Sequence, residues 1–337
     1  MTAPIAARKP VERLFHGDRF VDDYEWLRDK SDPEVIAYLE AENAYAEAST
    51  AGEAALREQI FTEIVSRTKE TDLTVPIRHA GYWHYTRTVA GQQYRLYCRV
   101  PATGDTPPEL PEEAEALPGE QVLLDGNLLA ADSEFFSVGT FEVSPAGDLL
   151  AYSVDLAGDE RFTLRVRDLA TGQDLPDEVT DTYYDTAWSA DGRYLFYIKV
   201  DDSWRPYQVW RHAVGTGAES DVLVFAEPDE RFWLGVELSR NQRVVQIGIE
   251  SKLTREVWLI DAAEPESQPV VVAARREGIE YHVEHAGDRL LILHNTNHPN
   301  FELSSADPQD PAPERWQTVL AGSDDRRLLE IDAFAGH

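Results

Sequence analysis

The sequence predicts a mainly β chain, a β-propeller preceded by a two-helix N-terminal segment, on three observations. Helical periodicity occurs early and then stops. A turn-then-strand unit recurs after it. The recurrences, measured at Ser144, Ser189, Ser239 and Glu284, are 45, 50 and 45 residues apart.

The helices come first. Asp32 suits an N-cap and Pro33 the first helical position, where its fixed φ fits and its missing N–H is not needed. Val35, Ile36, Leu39 and Ala46 form one apolar face of a helix running to about Ala48. Gly52 breaks the chain. A second helix, from Glu53 to Arg67, aligns Leu56, Ile60 and Ile64, with Phe61 beside them. No helical period is expected beyond it, which sets domain limits of 1–72 for the helical segment and 73–337 for the β region.

The β units share one logic. Val143–Ser153, Trp188–Ile198, Leu238–Ile247 and Val283–Leu293 each pass from a tight turn with Gly or Asn into a hydrophobic strand. A second amphipathic strand follows in Thr163–Arg167, Gln208–Arg211 and Glu256–Ile260. His79–Thr86 reads as an earlier copy followed by a long insertion. A period of ~40–50 residues with about four strands per unit is the signature of propeller blades, whose faces are buried by stacking on their neighbours. The acidic, proline-rich stretch Pro107–Pro118 reads as a solvated loop inside the first unit.

Composition narrows the function. The 337 residues include 31 basic and 62 acidic side chains, a formal net charge of −31. A field of that sign repels phosphate backbones and attracts cations, so nucleic acid is not an expected partner. The plainest reading of the charge is solubility. Residues 1–10 lack the apolar stretch of a secretory signal, and no run reaches the ~18 apolar residues of a membrane helix. The expectation is a cytoplasmic chain without a membrane partner. The single cysteine, Cys98, excludes an internal disulfide, and its alternation with Leu96 and Val100 marks a buried strand thiol.

The search for chemistry returns no catalytic, cofactor-binding or metal residue. There is no Gly-x-Ser-x-Gly elbow, no phosphate-binding Gly-rich loop and no His-Glu-x-x-His. Ser137 lacks flanking glycines and a strand-to-helix setting. His282 and His285 are read as a turn pair, and His294 and His298 as flanking another turn. Neither pair has a helix to align it for zinc. Asp-Glu-Arg-Phe occurs at 159–162 and 229–232, where Arg161 or Arg231 can hold a neighbouring carboxylate in an inter-unit structural role.

Several segments carry a resemblance. Asp22-Asp-Tyr-Glu-Trp-Leu-Arg-Asp29, with Asp32–Asn43 behind it, resembles the opening signature of the prolyl oligopeptidase family. Val75–Arg78, Gly81–Tyr85, Leu124–Asn127, Arg205–His212, Asp229–Phe232 and Leu291–Asn295 with Asn300–Leu303 resemble its oligopeptidase B branch. The resemblance implies a seven-bladed propeller capping an α/β-hydrolase domain that bears a Ser-Asp-His triad. It implies that about five blades and the start of a sixth are present here and that the hydrolase domain, the intramolecular partner, is absent. The N-terminal helices pack on that domain in the family. The implied function is cleavage of short, cationic peptides after Lys or Arg, with the propeller gating access and this chain alone inactive. No position matches the family's triad motifs, so no catalytic residue is carried over. The contrasting reading is a stand-alone propeller that binds a peptide or protein without catalysis.

Overall fold

The computed structural model describes residues 2–111 and 115–334. The chain forms two compact units, residues 1–69 and 70–337.

The first unit opens with the antiparallel hairpin β1 (Val11–Phe15) and β2 (Asp18–Asp22). His16 and Gly17 both adopt positive φ in its two-residue turn, which matches the twist of the flanking strands. Helix α1 (Pro33–Thr50) starts as expected: the Asp32 carboxylate accepts from Glu34 N–H at 2.8 Å, and Pro33 opens the first turn. Helix α2 spans Ala54–Arg67. The anticipated apolar faces are there in sequence but are mostly uncovered. Val35 is 3% exposed, whereas Ile36, Leu39, Leu56, Ile60, Phe61 and Ile64 are all exposed.

The second unit is built of antiparallel meanders. The first sheet is β3 (Ile77–His79), β4 (Tyr82–Arg87), β5 (Leu96–Pro101) and β6 (Gln121–Asp125). A seven-stranded sheet follows: β7 (Ser137–Val143), β8 (Leu149–Asp155), β9 (Phe162–Asp168), β10 (Gln173–Trp188), β11 (Tyr194–Val200), β12 (Pro206–Ala213) and β13 (Val222–Ala226). The third is β14 (Trp233–Leu238), β15 (Val244–Glu250), β16 (Arg255–Asp261) and β17 (Val270–Val271). The fourth is β18 (Tyr281–Ala286), β19 (Arg289–His294), β20 (Glu302–Ala306) and β21 (Gln317–Leu320).

The seven-stranded sheet is two meanders sharing one strand. Residues 173–182 of β10 pair with β9 and residues 182–188 with β11, Thr182 pairing with both. Around Thr182 the register shifts and Asp181 takes φ 58°, a bulge that re-aims the strand. Strand β10 is therefore the last of one unit and the first of the next.

The serine repeat has a physical basis. Ser144, Ser189 and Ser239 are buried where the first strand of a unit ends. Each hydroxyl accepts the N–H five residues on, from Leu149, Tyr194 and Val244, at 3.0, 3.0 and 3.1 Å. Each also donates to a turn side chain, Asp148, Asp191 or Asn241. The fourth copy departs from this. Glu284 lies inside β18, and the turn is a two-residue hairpin at Gly287-Asp288 closed by the Ala286–Arg289 pair.

The core lies between sheets. Phe196, Ile198 and Val209 of one unit meet Val236, Ile247 and Ile249 of the next. Similar clusters join β15 and β16 to β18 and β19, and β8 and β9 to β11. Each such side chain, fully buried, contributes about 1.5–3 kcal/mol. Stacking thus replaces a single central core, as the repeat predicted.

Four expectations need correcting. The helical period does not stop at Arg67, because Asp125 caps a four-residue helix α3 (Gly126–Leu129) by accepting from Asn127 and Leu128 N–H. His282 and His285 lie on strand β18, not in a turn; β branching and aromatics around them extend the backbone. The Pro107–Pro118 loop is not wholly solvated, since Leu110 and Leu117 pack on the first sheet; residues 112–114 of it lie outside the described residues. The expected start of a sixth unit falls on residues 321–337. Of these, 321–334 form no strand and 335–337 lie outside the described residues.

Candidate functional site: an acidic axial cavity

The first strands of successive units face one cavity of about 660 Å³. Strands β3, β7, β10 and β14 wall it. A second cavity of about 320 Å³ shares Asp185, Val236 and Glu237 with the first and reaches Trp233 at the other end of β14. Together they follow β14 from Trp233 to Leu238.

Three carboxylates line the first cavity, Glu142 on β7, Asp185 on β10 and Glu237 on β14, and Glu284 on β18 lies near enough to Glu237 to feel its charge. They feel one another. Glu142 is exposed at the cavity, yet the surrounding walls crowd it. That desolvation, followed by the charge of Asp185, pushes its carboxyl up to about 7. Asp185 is raised by desolvation and by Glu237 and Glu250, against a hydrogen bond from Val236 N–H. Glu284 is raised by desolvation, then opposed by the Arg240 guanidinium, with Glu237 and Asp332 raising it further. One Glu284 oxygen, Oε1, is buried without a hydrogen-bond partner. Basic groups near the wall are already engaged. Arg240 pairs with Asp332 at 2.5 Å and lies over the Phe334 ring. Arg255 donates to His282 Nδ1 at 2.7 Å and lies 3.5 Å from Glu250.

One mouth of the cavity is bridged. Gln242 Nε2, in the turn after β14, donates to His79 Nδ1 at 3.2 Å. His79 Nε2–H in turn donates to the Ser144 carbonyl at 2.9 Å. The bridge joins turns 163 residues apart in sequence. Behind it, burial and then the nearby His79 and Arg99 push His84 down to about 4, so it is neutral and its Nε2 is buried without a partner.

The residues singled out in the sequence lie elsewhere. Cys98 is 1% exposed on β5, and burial, followed by the Glu120 charge, raises its thiol to about 12, which makes it unreactive. Ser137 begins β7. The four histidines do not converge. His282 meets Arg255, His285 meets Asn241, His294 meets Ser304 and His298 meets Asp324. Among the described residues no group of three or more His, Cys, Asp or Glu could hold a metal. The two Asp-Glu-Arg-Phe copies diverge. Arg161 reaches the next unit, donating to the Asp201 carbonyl at 3.3 Å and stacking over Trp204. Arg231 turns back onto its own Asp229 in a bidentate pair.

Sequence reasoning missed the carboxylate row. A signal was available: Glu142 and Glu237 each stand two residues before a turn serine, Ser144 and Ser239. Asp185 stands four before Ser189, and only the bulge in β10 brings it to the wall.

Comparison with known proteins places this geometry. The family model described as prolyl oligopeptidase, N-terminal beta-propeller domain, matches residues 4–337. Dipeptidyl aminopeptidase BI of Pseudoxanthomonas mexicana is 36% identical over 343 residues, which cover 99% of this chain and 47% of that protein. Protease 2 of Moraxella lacunata is 36% identical over 336 residues, with the same 99% and 47% coverage. The closed form of oligopeptidase B from Trypanosoma brucei, with covalently bound antipain, superposes with a TM-score of 0.86 at 32% identity, over 99% of this chain and 48% of that one. The chain spans about half the length of the curated relatives it matches. With its stacked meanders and its full-length match to that model, the chain belongs to the prolyl oligopeptidase family, as an N-terminal β-propeller portion similar to that of oligopeptidase B.

Proposed function

We propose that this chain is the substrate-admitting cap of a serine oligopeptidase that cleaves short peptides after Lys or Arg in the cytoplasm. The carboxylate row of the axial cavity carries the reading. Glu142, Asp185 and Glu237 line the cavity in a chain of net charge −31, and such a lining raises the local concentration of cationic peptides. The cavity has the volume of a small-ligand site and excludes folded proteins. The His79–Gln242 bridge narrows one mouth and serves as a gate.

In this reading the chain supplies five four-stranded blades, counting β10 twice, of a seven-bladed ring. The catalytic Ser, Asp and His belong to an α/β-hydrolase domain that packs on it, and residues of this chain admit substrate without reacting with it. The exposed helix faces around Ile60 and Ile64 belong to the same intramolecular contact.

The test is a direct assay with an arginyl amide substrate. The purified 337-residue chain gives no turnover. The same chain joined to an oligopeptidase B hydrolase domain gives turnover that a serine-directed inhibitor blocks. Inhibitor-sensitive turnover by the 337-residue chain alone overturns the proposal.

A further inference from the structure

Between the second and third meanders lies a buried cluster that the cavity does not use. His212 of β12 sits between two carboxylates. Its Nδ1 is 2.7 Å from Asp221 Oδ1, and its Nε2 is 2.9 Å from Asp177 Oδ1. All three side chains are 1% exposed. Asp177 lies on the first half of β10, the last strand of one meander, whereas Asp221 precedes β13 in the next. The ring therefore spans a junction between units. Tyr197 O–H of β11 donates to Asp221 Oδ2 at 2.8 Å, and Gly215 N–H donates to Asp177 Oδ1 at 2.5 Å. Asp177 Oδ2 is buried without a partner. Asp177, Asp221 and Tyr197 are the ionisable groups in direct hydrogen-bonded reach of the ring or its carboxylates.

Proton counting follows from chemistry alone. A carboxylate oxygen only accepts, so a ring nitrogen facing one must donate. Both nitrogens face carboxylates, so both bonds need a proton. If the ring did not hold the second proton a carboxyl group would have to, and imidazole is the more basic of the two. We infer that Asp177, His212 and Asp221 form a proton-dependent clasp that joins the two meanders and fixes strand β10. If the ring loses one proton, a nitrogen lone pair faces a carboxylate lone pair in a buried site, and one half of the clasp lets go. The same strand carries Asp185 and Thr186 into the cavity wall, so the clasp anchors one side of the passage.

The sign is fixed by linkage. The closed clasp holds one more proton than a neutral histidine beside two ionised aspartates. Its contribution is therefore present at low pH and lost as pH rises.

The test is hydrogen exchange across the 337-residue chain from about pH 6 to about pH 9, corrected for intrinsic rates. In the wild-type chain the segments of β10 and β12 lose protection by up to an added tenfold per pH unit, the slope of one proton, while β15 and β19 do not. Asp221→Asn separates the clasp from ordinary burial. Its amide donates to an unprotonated Nδ1 and its carbonyl accepts from Tyr197, so the clasp stays closed with one ring proton. The variant keeps protection and loses the pH slope. Nitrogen-15 spectra of histidine-labelled wild-type chain give a readout that needs no variant, with both His212 ring nitrogens protonated at neutral pH. Equal pH slopes in wild type and Asp221→Asn, or one unprotonated His212 nitrogen at neutral pH, overturns the inference.

Discussion

Glu142→Gln should make the chain more stable, but only at high pH. The wild-type carboxyl is raised from its ordinary 4.5 to about 7 by desolvation and then by Asp185. A carboxyl raised in the folded state binds its proton more tightly there than in the unfolded chain. Its benefit is full below about 4.5 and is lost as pH rises through about 7. Taken whole, the difference corresponds to about 3 kcal/mol between protonated and ionised forms. Glu142 is exposed, however, and solvent screens most of it. About 1 kcal/mol is the expected remainder. Glutamine never ionises and retains the shape, so the variant is about 1 kcal/mol more stable than wild type near pH 8 and equal to it near pH 4.5. Urea denaturation at the two pH values, read as midpoint shifts with unchanged slopes, measures this. The reasoning fails if Glu142→Gln destabilises at pH 8, or if its effect is the same at both pH values.

Other outcomes follow from the packing. Glu120 is 6% exposed and receives three hydrogen bonds from Arg87, at 2.8 to 3.1 Å, and one from Tyr85 at 2.5 Å. Glu120→Ala strands the Arg87 guanidinium and costs about 3–5 kcal/mol, seen as a lower denaturation midpoint. Gly139→Ala places a methyl 2.6 Å from Ser153 Oγ and 2.7 Å from the Phe162 ring. Overpacking there costs about 1–3 kcal/mol, and a neutral result in thermal unfolding contradicts it. Phe196, at 0% exposure between two units, loses about 3–5 kcal/mol on truncation to Ala, with a melt that broadens if adjacent units uncouple.

The sequence made the repeat legible because the same local device recurs. Ser144, Ser189 and Ser239 each close a turn through the same hydroxyl, so periodicity in sequence is periodicity in hydrogen bonding. Cys98 was legible for a similar reason, since strand alternation alone decides its burial. The helix start at Asp32-Pro33 was equally local. What local patterns do not carry was lost. His282 and His285 stand among Tyr281, Val283 and Ala286 in a short stretch whose strand is completed only by pairing with β19. Leu110 and Leu117 hide in a proline-rich loop and are buried only because the first sheet lies beneath them. The carboxylate row is assembled from three units, and Asp185 joins it through a bulge that shifts register. The clasp of Asp177, His212 and Asp221 likewise needs the long course of β10, which joins two meanders in one strand.

The proposed function depends on the cavity carboxylates concentrating cationic peptides. The direct measurement is kcat/KM for a basic peptide against ionic strength, in the chain joined to an oligopeptidase B hydrolase domain and in the Glu142→Gln, Asp185→Asn, Glu237→Gln variant of that fusion. Salt shortens the reach of these charges to about 10 Å at 0.1 M and about 3 Å at 1 M. A steep fall with salt is expected for the unmutated fusion and a lower, flatter curve for the variant, with neutral peptides indifferent to both changes. An unmutated fusion whose rate is flat in salt, or a variant with the same slope, contradicts the proposed function.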